Sequence, residues 1–268
     1  MDKAGGTGSQ LRILGAAAHG EQATVNFLLQ DGAGPKLTPT PANTQIVEGG
    51  KPAKVLSIEH LKTPPSLVLV LDSSGSMRKS MRQVLASARA FIQGLPDDTR
   101  VQLVDFDAQV RPFKGTSRAE ALRNLGKVSA GGSTALYDAV LAGLKMLDGE
   151  QRPTLIVFTD GVDSREDHSG KGSNATKTQV AQAVADAHLP LFTIGFGPGH
   201  DGSTLKELAG MSDGTYYSAD DTTALQHVFA SINDRLGNRY AATYERPREA
   251  APSDLPVITL ATDVSLSM

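Results

Sequence analysis

Three short segments of this 268-residue chain concentrate oxygen donors beside glycines. Residues 72–76 read Asp-Ser-Ser-Gly-Ser, residues 131–134 read Gly-Gly-Ser-Thr, and residues 159–161 read Thr-Asp-Gly. Carboxylates and hydroxyls are hard ligands, the set suited to Mg²⁺ or Mn²⁺ rather than to zinc or copper. None of the three segments contains a His or Lys to act as a general base or nucleophile, and Lys79, one helical turn on, reads as surface. The chemistry on offer is cation binding rather than bond breaking.

Each donor alone has a local explanation. Ser76 and Thr134 precede helical patterns, where a hydroxyl serves as an N-cap. Asp72 and Asp160 end apolar runs, where a carboxylate accepts backbone N–H bonds in a turn. The elements that carry them raise the set above local use. Residues 67–71 (Leu-Val-Leu-Val-Leu) and 154–158 (Thr-Leu-Ile-Val-Phe) are continuous apolar runs, as in strands buried on both faces. A helix is predicted over 77–95, with Met77, Met81, Val84, Leu85, Ala88, Phe91, Ile92 and Leu95 on one face and Gly94 and Pro96 closing it.

Further strands are predicted at 101–106, 110–113 and 191–196, and helices at 117–125, 135–147, 176–187, near 204 and at 223–236. This alternation predicts an α/β fold over residues 66–238. It is Rossmann-like and doubly wound, a mostly parallel sheet with helices on both faces. Ligands of such sheets bind at the carboxyl ends of the strands, where the donor segments fall.

The two ends of the chain lack helical periodicity. Residues 23–30, 45–47, 54–58, 239–244 and 257–262 are strand-like, with turn signals at Asp31-Gly32 and Gly49-Gly50. They predict one small antiparallel β module built from both termini. Residues 1–65 supply a flexible lead-in and the N-terminal strands, and 239–268 the returning strands. The first ten residues lack an apolar signal core and read as that lead-in, of the kind left when a signal or anchor is removed. The Pro- and Thr-rich stretch 35–44 reads as a loop.

The Asp-Ser-Ser-Gly-Ser run resembles the D-x-S-x-S motif of von Willebrand factor type A domains. Thr134 and the Asp of the Thr-Asp-Gly turn follow in that family's order. The resemblance covers about residues 66–238 and implies a metal-ion-dependent adhesion site formed by Asp72, Ser74, Ser76, Thr134 and Asp160. In the family the two serine hydroxyls bind the metal directly, and the carboxylates bind directly or through water. The spacing suits this, because alternate residues of a tight turn project to one side. Neutral hydroxyls leave the ion short of negative charge, so it stays electrophilic toward an acid from outside.

The resemblance therefore implies a non-enzymatic, adhesion-type module in which Mg²⁺ (or Mn²⁺) ligates an Asp or Glu of a partner protein. The alternative within the same family is a subunit of a chelatase- or ATPase-type machine. Residues 25–32, 47–52 and 240–244 resemble the strands of bacterial members that carry a flanking β module, and an exported location is the matching expectation.

Competing motifs fit less well. Residues 104–109, Val-Asp-Phe-Asp-Ala-Gln, resemble the strand-D-x-D loop of Mg²⁺-dependent phosphohydrolases, but a further strand follows at once. That predicts a hairpin with Asp107 as a turn acid. Residues 195–199, Gly-Phe-Gly-Pro-Gly, lack dinucleotide-fingerprint spacing and read as a turn, and residues 131–135 lack the last glycine of a nucleophile elbow. Six histidines show no H-E-x-x-H spacing. Asp163, Arg165, Glu166 and Asp167 read as a solvated stretch beside the site, suited to selecting a partner by charge, with 170–173 its flexible continuation.

Composition closes off other classes. Twenty-six basic against 29 acidic residues give a net charge of −3, which argues against nucleic-acid or anionic-membrane binding. The absence of cysteine excludes a disulfide framework, a zinc–thiolate site and thiol catalysis. No apolar run reaches the roughly 18 residues that predict a membrane span.

Overall fold

The computed structural model describes residues 10–30, 38–61, 65–113, 115–164, 172–212, 214–237, 239–251 and 253–260. The chain divides into two compact units, one of Met1–Lys62 with Asp234–Met268, the other of Thr63–Asn233. The first unit begins with two hairpins, β1 (Gln10–His19) with β2 (Gln22–Gln30) and β3 (Thr44–Glu48) with β4 (Lys51–His60). The predicted turn at Gly49-Gly50 joins the second hairpin, with both glycines at positive φ. Strand β1 occupies residues whose pattern predicted none. Residues 16–18 are alanines, and cross-strand pairing to β2 rather than β propensity holds them extended. The Asp31-Gly32 turn and residues 1–9 of the predicted lead-in lie outside the described residues.

The second unit follows the predicted alternation. Its elements are β5 (Ser66–Asp72), a 3₁₀ turn (Gly75–Lys79), α1 (Met81–Gly94), β6 (Arg100–Phe106), β7 (Val110–Pro112), α2 (Arg118–Leu125), α3 (Leu136–Met146), β8 (Pro153–Thr159), α4 (Lys177–Ala187), β9 (Leu191–Phe196), α5 (Gly202–Gly210), β10 (Tyr216–Ala219) and α6 (Thr222–Gly237). The sheet order is β10-β9-β8-β5-β6-β7, parallel throughout except for the β6–β7 hairpin.

Every residue of β5 is buried, which explains its uninterrupted apolar run. Val68 and Val70 pack with Leu136, Val140, Val157 and Leu191 in one core cluster. Phe91 of α1 stacks on Phe229 of α6 with ring centroids 4.6 Å apart. From β5 the chain crosses to β6 on one side and later returns to β8 on the other. The topology therefore reverses at β5, and a crevice forms at such a switch point outside the carboxyl ends of the strands.

Three local predictions are corrected. The helix predicted over 77–95 is two pieces, a 3₁₀ turn and α1, separated by Ser80. Ser76 therefore lies inside the turn and caps nothing. Thr134 does not cap α3 either: Ala135 holds the N-cap position, with no side-chain bond. Strand β10, Tyr-Tyr-Ser-Ala, escaped prediction because four residues are too few to show a period.

The first unit is completed by β11 (Arg239–Glu245) and β12 (Val257–Leu260), giving an antiparallel sheet of order β1-β2-β11-β4-β3-β12. Strand β11 sits between β2 and β4, pairing Tyr240 with Phe27 on one side and with His60 on the other. Val25, Phe27, Leu29, Ile46, Ala242, Tyr244 and Ile258 form its core. Along β2 the buried residues are alternate ones, the period of a half-buried strand. Among the described residues no helix is long and apolar enough to cross a membrane.

Candidate metal centre

Strand β5 ends on Asp72, whose side chain is fully buried. Its Oδ1 accepts the Ser74 N–H at 2.8 Å and its Oδ2 accepts the Thr159 hydroxyl. Burial pushes the Asp72 carboxyl up to about 6, against the lowering effect of those hydrogen bonds, and the charge of Asp160 adds to the rise. Asp160, half-buried one residue beyond β8, is also raised by burial, with the Ser76 hydroxyl opposing. Two neighbouring carboxylates thus meet only neutral donors among the described residues. The charge that would compensate them is that of a cation.

The hydroxyls fit one. Ser76 Oγ donates to Asp160 Oδ1 at 2.7 Å, and Ser74 Oγ lies 3.0 Å from Ser76 Oγ. Oxygens on neighbouring vertices of a Mg²⁺ octahedron with bonds near 2.1 Å are roughly 3.0 Å apart. Among the described residues no group of three or more His, Cys, Asp or Glu offers a rival metal site. The donor set here has two carboxylates, and the remaining donors are hydroxyls.

Backbone hydrogen bonds bring Thr134 to the same edge. Its N–H donates to the Ser164 carbonyl at 2.8 Å, and the Ser164 N–H returns a bond to the Thr134 carbonyl at 3.1 Å. The next amide, Ala135, donates to the Asp107 carbonyl at 2.8 Å. Gly131 N–H reaches the Ser73 carbonyl at 2.8 Å and Gly75 N–H reaches the Gly132 carbonyl at 2.9 Å, so the first and second donor loops are laced together. A Cβ on Gly172 would stand 2.1 Å from the Thr134 carbonyl oxygen, so only glycine permits that approach. A Cβ placed on Gly161, the residue after Asp160, would stand 3.8 Å from the Thr134 hydroxyl. The fold thus gathers Asp72, Ser74, Ser76, Thr134 and Asp160 at one edge of the sheet.

Several residues acquire roles that the sequence did not reveal. Thr159 was visible in the Thr-Asp-Gly turn, but its partner, Asp72, is 87 residues away. Asp163 is not the solvated acid that the sequence suggested. It is half-buried and accepts the N–H groups of Tyr137 at 3.3 Å, Gly172 at 3.1 Å and Ser173 at 3.2 Å, together with the Ser173 hydroxyl. It therefore ties α3 to the segment after the loop, and Gly172 and Ser173 are anchored rather than a flexible continuation. Arg165, Glu166, Asp167 and Gly170 lie outside the described residues.

Asp105 and Asp107, the phosphohydrolase-like pair, stand on the predicted β6–β7 hairpin, with Asp105 opposite Arg111. Arg111 Nε donates to Asp105 Oδ2 at 2.8 Å and Nη1 to Asp107 Oδ1 at 2.9 Å. Both acids are thereby engaged by one guanidinium.

A family model described as von Willebrand factor type A domain matches residues 66–231, more than half of the chain. An uncharacterized protein of Synechocystis sp. is 27% identical over 190 residues, 66% of this chain and 43% of that protein. The bovine inter-alpha-trypsin inhibitor heavy chain H3 is 26% identical over 229 residues, 74% of this chain and 24% of its own length. The chain thus spans less than half of either relative. The solved structure of a von Willebrand factor type A protein from Catenulispora acidiphila superposes with a TM-score of 0.58 at 15% identity, covering 96% of this chain and 70% of that one. Proximal thread matrix protein 1 of the mussel byssus, solved with a zinc-occupied MIDAS motif, superposes with a TM-score of 0.53 at 17% identity, covering 68% and 47%.

Proposed function

Because this chain belongs to the von Willebrand factor type A domain family, we propose that it is a non-enzymatic protein-binding module that works through a bound divalent cation. Asp72, Ser74, Ser76, Thr134 and Asp160 hold Mg²⁺ or Mn²⁺, and the ion takes a carboxylate from an Asp or Glu of a partner protein. One observation carries this: the oxygens of Ser74, Ser76 and Asp160 are spaced 3.0 and 2.7 Å apart, beside a buried Asp72 that meets only neutral donors among the described residues. The mussel byssus protein, whose MIDAS motif holds zinc, supports a divalent ion at this place in the fold.

An ion bound by two carboxylates and neutral hydroxyls keeps the Lewis acidity that captures an external carboxylate. The residues of this chain supply the rest. Thr159 and the Ser74 amide orient Asp72, Ser76 orients Asp160, and Ser164 fixes the height of Thr134. Absence of catalysis belongs to the same proposal. It is supported by donor loops without a general base, and by Arg111 occupying the Asp105–Asp107 pair. An extracytoplasmic location also belongs to it.

Calorimetric titration with Mg²⁺ and Mn²⁺ is the test. Wild type should bind one ion, and Asp72→Ala combined with Asp160→Ala should bind none. Acetate, the simplest carboxylate, should then displace water from the Mn²⁺-loaded protein and lower its water-proton relaxation. Failure of wild type to bind either ion would overturn the proposal.

A further inference from the structure

We propose that Arg111 is a positioning residue for the metal centre, acting from behind the site through the backbone of the Thr134 arm. This inference rests on the metal reading above and assigns a role to a residue outside the five donors. The Arg111 guanidinium forks onto Asp107, with Nη1 on Oδ1 and Nη2 on Oδ2, both at 2.9 Å, while Nε holds Asp105 Oδ2 at 2.8 Å. Its Nη2 also lies 3.4 Å from Ser73 Oγ. One planar cation therefore touches the hairpin turn and the residue that follows Asp72.

From those two contacts the backbone leads directly into the site. The Asp107 carbonyl accepts the Ala135 N–H at 2.8 Å, which sets the residue after Thr134. Ser73 accepts the Gly131 N–H through its carbonyl at 2.8 Å, and its own N–H donates to the Phe106 carbonyl at 2.7 Å. Gly132, at φ +78°, faces this support: a Cβ there would meet Ala108 N at 3.4 Å and Asp107 Cγ at 3.5 Å. The Asp107 side chain held by Arg111 thus belongs to the same residue whose carbonyl anchors Ala135.

Stability is a poor reason for the cluster. Asp105 is 3% exposed, and its Oδ1 is buried without a hydrogen-bond partner among the described residues. The Arg111 side chain is 36% exposed, and an ion pair with a solvated partner adds little stability, while an unpartnered carboxylate oxygen adds a cost. What apolar residues would not supply is a fork that fixes two carboxylates at a set angle and separation.

The sign of one measurement decides the matter. By Coulomb's law alone, removing a cation from behind the site raises the negative potential there and tightens Mn²⁺ binding. If Arg111 positions the Thr134 arm, its removal weakens Mn²⁺ binding, and outer-shell partners of metal sites typically matter by tenfold or more. The full chain as wild type, Arg111→Met and Arg111→Lys is titrated with Mn²⁺ and followed by electron paramagnetic resonance. Amide hydrogen exchange at Ala135 and Gly131 is recorded without metal.

Arg111→Met should bind Mn²⁺ about tenfold more weakly and exchange the Ala135 amide faster. Arg111→Lys keeps the charge but not the fork, and should resemble Arg111→Met rather than wild type. It carries the test if Arg111→Met does not fold. Unchanged or tighter Mn²⁺ binding in a folded variant, or full rescue by Lys, would overturn the positioning role and leave the metal reading standing. A wild type that binds no Mn²⁺ would overturn both.

Discussion

Asp72 is fully buried and accepts hydrogen bonds from an amide and a hydroxyl, neither of which carries charge. Such an arrangement is costly for an isolated carboxylate and favourable once a cation arrives. Thr134 differs from it in kind, contributing one neutral hydroxyl held in place by the Ser164 carbonyl and amide. The two substitutions should therefore separate. Asp72→Ala is expected to abolish Mn²⁺ binding and acetate capture together. Thr134→Ala is expected to change Mn²⁺ affinity little, while acetate affinity falls about tenfold, on the order of 1.4 kcal/mol. Ala135 rather than Thr134 holds the N-cap of α3, so the metal-free protein should lose no cap with this change. Its melting temperature should drop by less than about 4 °C. Equal loss of metal and acetate binding in Thr134→Ala would make the hydroxyl an ordinary ligand of the resting ion.

At the scale of elements, the loops at this edge are held by bonds between strands and loops distant in sequence, and Asp163 carries four of them among the described residues. It joins the first turn of α3, through Tyr137, to Gly172 and Ser173. Asp163→Ala removes acceptors for three amides and one hydroxyl. It is expected to cost about 1–3 kcal/mol in thermal unfolding and to accelerate exchange of the Gly172 and Ser173 amides. Asp163→Asn, which retains one acceptor oxygen, should fall between. Wild-type exchange at both amides in Asp163→Ala would show that the segment is held elsewhere. The helices show the opposite, local logic. Ser117 with Glu120, and Thr176 with Gln179, form complete capping boxes at the starts of α2 and α4, signals readable in four residues. The 3₁₀ turn at Gly75–Lys79 has no such signal, because its apolar spacing continues that of α1.

At the scale of the whole molecule, the antiparallel unit depends on residues far apart in the chain. Strand β11 supplies Tyr240, Ala242 and Tyr244 to a core otherwise formed by the N-terminal strands and β12. Arg246 follows it and engages the buried Glu48 with Nε and Nη2, at 2.9 and 2.6 Å. Burial, assisted by the Glu48 charge, pushes the Tyr244 hydroxyl up from 10.0 to about 12. A group whose folded pKa is raised holds its proton more tightly when folded. Its stabilisation is complete below pH 10 and is lost as pH climbs through about 12. Thermal melts across that window should show the antiparallel unit weakening in wild type and markedly less in Tyr244→Phe. Identical alkaline weakening of the two proteins would place the responsible group elsewhere.

The sequence by itself determined the order of most elements of the α/β unit, β10 and the 3₁₀ turn excepted, and singled out the five residues proposed to hold the ion. Apolar runs, helical periods and tight-turn spacing are properties of neighbouring residues, and propensity and burial act on them directly. The hairpin that carries Asp105 and Asp107 was legible for the same reason, since β6 and β7 are separated by only three residues. Only the tertiary structure decided how the donors are held. Thr159 meets Asp72 across 87 positions, and Ser76 meets Asp160 across 84. Ser164 and Thr134 lock backbone to backbone, and Gly172 fits against the Thr134 carbonyl where no side chain would. These contacts form only when strand order brings β8 beside β5 and folds the loop before α3 over both. No local pattern encodes which loops meet.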